Sequence, residues 1–242
     1  MKIAIIGYGK MGKEVEKIAI SRGHEITFKL SKSEFEKIEK NLLLQADIAV
    51  EFTGPESAVS NLKKCFDNGL PVVTGTTGWY NSFEDICNYC KMKNTSLFYA
   101  SNFSLGVNLF FRLNEFLAAM MKDFSNYKIS MEEQHHIHKK DAPSGTAIKL
   151  AEGIFKKNSK LKTYSLSQAQ SEEVLPINVV RENEIPGTHS IKYKSDCDEI
   201  RIEHKAFNRE GFALGAVLAA EFLVGKKGVF SMDDLISDGH LI

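Results

Sequence analysis

The chain lacks an excess of charge of either sign. Lys+Arg and Asp+Glu both number 31, so its 242 residues carry a formal net charge of zero. With no basic surplus and no like-charge tail, nucleic acid is not the expected partner. Long hydrophobic runs are missing too. A membrane helix needs ~18 apolar residues or more, whereas the best candidate, residues 212–224, is shorter and contains Glu221. The N-terminus opens on a strand pattern and a glycine turn without a signal-peptide pattern, so the expected location is cytoplasmic. Cysteine is scarce: Cys65, Cys87, Cys90 and Cys197 do not make a disulfide framework. Cys87 and Cys90 are spaced C-x-x-C, but no second pair completes a zinc site, and they read as incidental thiols. Internal repeats and low-complexity segments are also absent. What is present is an ordinary globular mix, 43% hydrophobic and 26% charged, long enough for one large domain or two small ones.

The first hundred residues alternate strand and helix patterns. Residues 2–6 are a short apolar run that fits a buried parallel strand, and Gly7-Tyr8-Gly9-Lys10-Met11-Gly12 follows as G-x-G-x-x-G. Helical spacing over 11–21 and a second strand over 24–30 supply the context in which that motif signals a dinucleotide. Gly7 suits the tight turn, Gly9 the approach of backbone to a pyrophosphate, and Gly12 the packing of helix on strand. Phosphates favour the helix N-terminus, where unpaired N–H groups and the dipole point at them. After the second strand, an acid would bond the ribose 2′-hydroxyl. Ser31 stands there instead, between Lys29 and Lys32, which favours NADPH, or dual use with NADH, over strict NADH; Glu34 reads as a loop acid. Further strands are expected at 47–52, 70–73 and 97–99, with helices from Pro55 and over 82–93. The strand ends deliver Gly75-Thr76-Thr77-Gly78 and Ala100-Ser101-Asn102-Phe103, where doubly wound sheets bind ligand.

Beyond Ser104 the pattern changes. A long helix over 105–124 precedes a strand over 127–133, a helix over 144–156, a polar loop over 161–173, and strands over 177–181, 189–194 and 199–206. A final apolar helix is expected over 212–224, and a short piece begins at Met232. The fold class is therefore α/β: a Rossmann-like dinucleotide-binding domain (1–103), an inserted α+β substrate and oligomerisation domain with a mixed sheet (104–211), and a C-terminal return (212–242). Within the insert, Glu133-Gln134-His135-His136-Ile137-His138-Lys139-Lys140-Asp141-Ala142-Pro143-Ser144-Gly145-Thr146-Ala147 sets three imidazoles and two ammonium groups before a helix start. Proton donors beside an anion-binding terminus suit a small anionic substrate that must be protonated.

This stretch resembles the signature of the 4-hydroxy-tetrahydrodipicolinate reductase (dihydrodipicolinate reductase) family. Gly7 to Gly12, Gly75 to Gly78, Ala100 to Phe103, His204-Lys205-Ala206 and Gly215-Ala216-Val217 recur in the family's order, so the resemblance covers nearly the whole chain. It implies NAD(P)H-dependent reduction of 4-hydroxy-tetrahydrodipicolinate to tetrahydrodipicolinate with loss of water, in lysine/diaminopimelate biosynthesis. It further implies His135 as general acid, Lys139 as second proton donor and electrostatic partner, His136 as substrate ligand, and Ser144, Gly145 and Thr146 as a carboxylate site. The cofactor would contact Gly7, Tyr8, Gly9, Lys10, Met11, Gly12, Gly75, Thr76, Thr77, Ala100, Ser101, Asn102 and Phe103. A homotetramer is implied as well. Departures include Glu51, where the family more often has Asp, Leu218, where some members place Arg, and Ser31 in place of the cofactor-choosing acid.

Plainer readings stand beside it. His136 and His138 share a face in an extended segment and could chelate a metal, but no companion ligand announces itself and none is expected. Lys139 could form a Schiff base, which the dinucleotide motif makes unnecessary. Another two-domain NAD(P)-dependent imine or amino-acid dehydrogenase, or a non-catalytic dinucleotide sensor, would share the fold; neither needs the paired histidines joined to Ser-Gly-Thr. His24, His189, His204 and His240 carry no assignable chemistry. The apolar strands after Ile177 leave a sheet face or edge for a second copy to cover.

Overall fold

A computed structural model describes residues 1–166 and 171–239. The middle of the expected 161–173 loop and His240 lie outside the described residues. The chain begins with β1 (Lys2–Ile6), α1 (Lys10–Ser21), β2 (Glu25–Leu30), the short helices α2 (Lys32–Glu36) and α3 (Lys40–Leu43), β3 (Ile48–Glu51), α4 (Pro55–Asp67), β4 (Val72–Thr74), α5 (Phe83–Met92) and β5 (Ser96–Tyr99). There follow α6 (Leu105–Met121), β6 (Lys128–His135), α7 (Gly145–Lys157), β7 (Thr163–Ser165), β8 (Val174–Arg181), β9 (Gly187–Lys194), β10 (Glu199–Ala206), α8 (Glu210–Leu223), β11 (Gly228–Phe230) and α9 (Met232–Ser237). Two compact units result, one of Met1–Leu105 with the chain from Arg209 onward, the other of Gly106–Asn208. Among the described residues, no helix is long and apolar enough to cross a membrane.

The first unit is built on a 6-stranded sheet in the order β11-β5-β4-β3-β1-β2. Every pairing in it is parallel. Its inner strands β1, β3 and β4 read as apolar runs because both faces are covered, whereas the edge strand β2 alternates. Alternate residues point to opposite sides. Ile3, Ile5, Val50, Val73 and Phe98 join Val15 and Ala19 of α1 and Ala216, Ala220 and Leu223 of α8. Ala4, Ile6, Ala49, Val72 and Leu97 join Leu62, Cys65 and Phe66 of α4 and Ile86 and Cys90 of α5. Burial pushes the Cys65 thiol up, and the Cys90 thiol up to about 11, so both are inert at neutral pH. The order reverses between β1 and β3, which opens a crevice beyond their carboxyl ends. The sixth strand, β11, has no period to betray it. Its three residues pair Gly228 to Ser96, Val229 to Leu97 and Phe230 to Phe98.

The second unit carries a 5-stranded sheet in the order β10-β9-β6-β8-β7. It is mixed: β10 with β9 and β9 with β6 are antiparallel, while β6 with β8 and β8 with β7 are parallel. Met131, Ile177, Ile191 and Tyr193 are buried with Val107, Phe110 and Phe111 of α6 and Leu150 and Ile154 of α7. One expectation changes here. The polar segment read as a loop contains β7, an edge strand held by Thr163–Val174, Tyr164–Leu175 and Ser165–Pro176 pairing, too short to show alternation. Of the strands after Ile177, Ile177, Ile191 and Tyr193 are buried, while β10 forms an edge of the sheet with Ile200 exposed. A cleft of about 330 Å³ on this sheet is lined by Glu132, Lys192 and Arg201 as well as by Met131, Pro176 and Ile177, among others.

Candidate active site

Strand β6 runs two residues further than its apolar pattern predicts and takes His135 with it. Alternation buries Met131, Glu133 and His135, while Glu132 and Gln134 stay half-buried. Register then sets Glu133 opposite His189 on β9 and Val179 on β8, and His135 opposite Arg181. Glu133 is wholly buried. Its Oε2 accepts the Ser144 N–H at 2.8 Å and its Oε1 the Arg181 guanidinium at 2.7 Å. Burial pushes the carboxyl up, but these hydrogen bonds outweigh it and hold it below the usual range, ionised. Ser144 is the N-cap of α7: its Oγ accepts the Ala147 N–H at 3.2 Å and lies 3.0 Å from His189 Nε2. One carboxylate thus ties the strand that carries His135 to the start of α7.

Both buried imidazoles favour the neutral form. Burial lowers the His135 pKa, with Lys139 adding to the effect and Glu133 opposing it. Burial, then His135, pushes His189 down to about 4. The two rings meet edge-on with centroids 5.0 Å apart. Among the described residues, His135 Nδ1 is buried with no hydrogen-bond partner, as is Nδ1 of the half-buried His136. Gly187 leaves room for the other side of the ring, since a Cβ there would stand 3.1 Å from His135 Nε2. Glu133, His135 and His189 each bring a potential metal ligand within 4.8 Å of the others. Glu133 already binds the Arg181 guanidinium and the Ser144 N–H, and Ser144 Oγ stands at His189 Nε2.

The loop between β6 and α7 is folded back by the Lys139 N–H to His136 carbonyl bond (3.1 Å) and held by Arg181, which donates to the Asp141 carbonyl at 2.7 Å. Lys139 Nζ donates to both Asp141 oxygens at 2.8 Å, and this keeps the Asp141 carboxyl below its usual range. His138 and Lys140 are exposed, His138 lying 3.4 Å from Glu184. At the start of α7, Gly145 is exposed, a Cβ there would meet nothing within 4 Å, and no acid stands in the first turn. Gly145 and Thr146 therefore present first-turn N–H groups that the helix itself cannot satisfy.

In the first unit, Gly7 has φ +96° and a Cβ there would fall 2.1 Å from the Phe52 carbonyl; one at Gly12 would fall 2.5 Å from the Gly7 carbonyl. Gly9 is open, N-caps α1 without a side-chain hydrogen bond, and no acid follows in the first turn, where Lys10 is exposed and Met11 half-buried. A Cβ on Gly75 would strike the Phe52 ring at 2.0 Å, and Phe103 meets the same ring edge-on at 5.9 Å. Phe52 thus joins three segments that the sequence marked separately. Thr76 and Ala100 are buried, Asn102 is half-buried, and Ser101 and Thr77 are exposed. The Tyr8 hydroxyl donates to Glu16, and Lys29 binds the same carboxylate at 2.6 Å. The Ser31 hydroxyl and N–H both donate to Glu34 Oε2, at 2.6 and 2.7 Å, in a capping box. Glu34, set aside in the sequence, brings a carboxylate to the tip of β2, held below its usual range by the Ser31 bonds.

Comparison with known families decides the kinship. Residues 1–103 match the N-terminal part of dihydrodipicolinate reductase, and residues 106–236 its C-terminal part. The chain belongs to the dihydrodipicolinate reductase family. It is accordingly an oxidoreductase. The 4-hydroxy-tetrahydrodipicolinate reductase of Christiangramia forsetii is 47% identical over 240 residues, 98% of this chain and 98% of that one. The protein of the same name from Archaeoglobus fulgidus is 33% identical over 261 residues, 98% of this chain and 100% of that one. A dipicolinate-bound dihydrodipicolinate reductase from a Paenisporosarcina species shares the fold, with a TM-score of 0.78 at 21% identity over 96% of this chain and 97% of that one. Sequence reasoning missed Glu133, Arg181, His189 and Glu34 as members of these sites. Only Glu34 had a local signal, its spacing from Ser31.

Proposed function

We propose that the chain reduces 4-hydroxy-tetrahydrodipicolinate to tetrahydrodipicolinate with NAD(P)H and loss of water, as a step of lysine/diaminopimelate biosynthesis. The observation that carries this reading is the Glu133 linkage, which ties an unpartnered buried histidine to an open helix N-terminus. Open Gly9, the uncapped α1 start and the glycine contacts around Phe52 fit a dinucleotide pyrophosphate at the first unit. When bound, the reduced nicotinamide supplies a hydride. The substrate gains that hydride and one proton, and its hydroxyl leaves as water. The Gly145 and Thr146 amides and the His136 ring would grip the carboxylates. His135 would deliver the proton: a dianion beside it raises the proton affinity that burial lowers. Lys139 would leave Asp141 to balance the developing negative charge.

Lys139→Ala should lower kcat and weaken substrate binding together, each by about tenfold or more, because the lost ammonium serves both states. A change in cofactor affinity alone would count against this. Glu34 bears on cofactor choice. The carboxylate at the tip of β2 suits a ribose 2′-hydroxyl, and Lys29 is already paired with Glu16. Both features support use of NADH alongside NADPH. Glu34→Gln keeps the capping box while removing charge, so the NADPH-to-NADH ratio of kcat/KM should rise about three- to tenfold. An unmoved ratio removes Glu34 from cofactor choice. The exposed edge strand β10, with Ile200 open, supports homotetramer formation through that sheet.

The test of the function is nicotinamide oxidation by purified protein with freshly condensed pyruvate and aspartate semialdehyde, with NADPH and NADH in parallel. Oxidation that requires both precursors is expected. No oxidation with either cofactor, despite measurable cofactor binding, would favour a different imine or amino-acid dehydrogenase.

A further inference from the structure

Glu51 ends β3 and is wholly buried, and no role described above uses it. Among the described residues its carboxylate has no cationic partner; hydroxyl and amide donors surround it instead. The Thr53 N–H and the Thr76 hydroxyl each donate to Oε1 at 3.0 Å, the Thr53 hydroxyl donates to Oε1 as well, and the Thr74 hydroxyl donates to Oε2 at 2.5 Å. The Glu51 carbonyl also accepts the Gly75 N–H at 3.0 Å. A carboxylate offers roughly four acceptor positions and no donor, and it takes these four donors, three at Oε1 and one at Oε2.

This arrangement fixes the direction of each hydroxyl. The Thr76 hydroxyl proton is committed to Glu51, so the same oxygen accepts the Thr53 N–H at 2.9 Å. Thr53 Oγ1, committed likewise, accepts from Asn61 at 3.1 Å. The loop after β3 and the loop after β4 are thereby locked to each other at the carboxyl edge of the sheet. Thr77 and the backbone are left to face outward. Phe52, between Glu51 and Thr53, is the residue against which Gly7, Gly75 and Phe103 pack.

We propose that Glu51 is the positioning residue of the dinucleotide site: its buried carboxylate holds the 52–54 and 75–77 loops in the one arrangement that receives the cofactor. The proposal rests on the dinucleotide reading above. Glutamine is the informative replacement. It has the same shape, but one of its two ends is an amide donor: with its oxygen toward the Thr53 N–H, the amide meets the Thr74 hydroxyl, whose proton loses its acceptor. Glu51→Gln should weaken NADH and NADPH binding, read by nicotinamide fluorescence, by about tenfold, the loss expected for a buried donor left unpaired. Dissociation of pyridine-2,6-dicarboxylate, which tests the second unit, should stay within about twofold, and kcat at saturating cofactor within about threefold. Glu51→Asp, which keeps two acceptor oxygens, should lie nearer the wild type than Gln does.

A wild-type protein that binds neither nucleotide sinks the dinucleotide reading itself. Wild-type binding with unchanged affinity in Glu51→Gln overturns the role of Glu51 alone. Equal losses for nucleotide and dicarboxylate, or an Asp variant weaker than Gln, also overturn it, because they describe general destabilisation. If Glu51→Gln does not fold, Thr76→Val carries the test: it removes one donor at constant shape and should weaken nucleotide binding about threefold or more, and no change overturns the proposal.

Discussion

His135→Gln should lower kcat by about two orders of magnitude or more, the range lost with a general acid, while the dissociation constants of NADH and NADPH stay as they are. The imidazole is carried on a strand rather than a loop, at the register position opposite Arg181, and is 7% exposed. Its Nδ1 has no partner among the described residues, and Gly187 spares the space beside Nε2. A buried polar atom left unpaired costs stability unless a ligand or a proton uses it. Glutamine fills much the same volume and can still hydrogen-bond, but it cannot exchange a proton at neutral pH. Single-turnover rates at saturating substrate, with nucleotide binding measured on the same preparation, separate chemistry from binding. Unchanged turnover refutes the role, and the proton would then have to come from Lys139.

Glu133→Ala should be the most damaging change to stability in the second unit. The substitution strands a buried Ser144 N–H and leaves the Arg181 guanidinium, itself 19% exposed, without its carboxylate. Removing one member of such a pair costs about 3 kcal/mol or more, which exceeds what the intact pair contributes over an apolar isostere. Arg181 also holds the Asp141 carbonyl, so the loop bearing Lys139 loosens with it. Chemical denaturation should report the loss, and activity should fall even under conditions where the variant remains folded. Glu133→Gln retains an acceptor for Ser144 and should be milder. A stability change below about 1 kcal/mol for the alanine variant would mean the pair is not the tie between strand and helix.

The parts legible in the sequence are those whose signals are local. β1, the glycine turn and α1 are contiguous, and so are the proton donors and the Ser144 cap. The remainder depends on register. Glu132 and Glu133 are indistinguishable in sequence, yet only Glu133 faces inward, where it meets His189 and Arg181 from other strands. β11 and β7 are too short for periodicity and exist because a neighbouring strand pairs with them. Ser31 is a different case. Its S-x-x-E spacing to Glu34 marks a capping box, but the expectation of a cofactor-choosing position drew attention to the lysines instead.

The most direct test of the reductase reading uses reduced nicotinamide labelled with deuterium at its transferable position, with product analysed by mass spectrometry. The wild-type chain should place the label in the ring of tetrahydrodipicolinate, and His135→Gln should do so at a greatly reduced rate. Nicotinamide oxidation that leaves no label in the ring would contradict hydride transfer to this substrate.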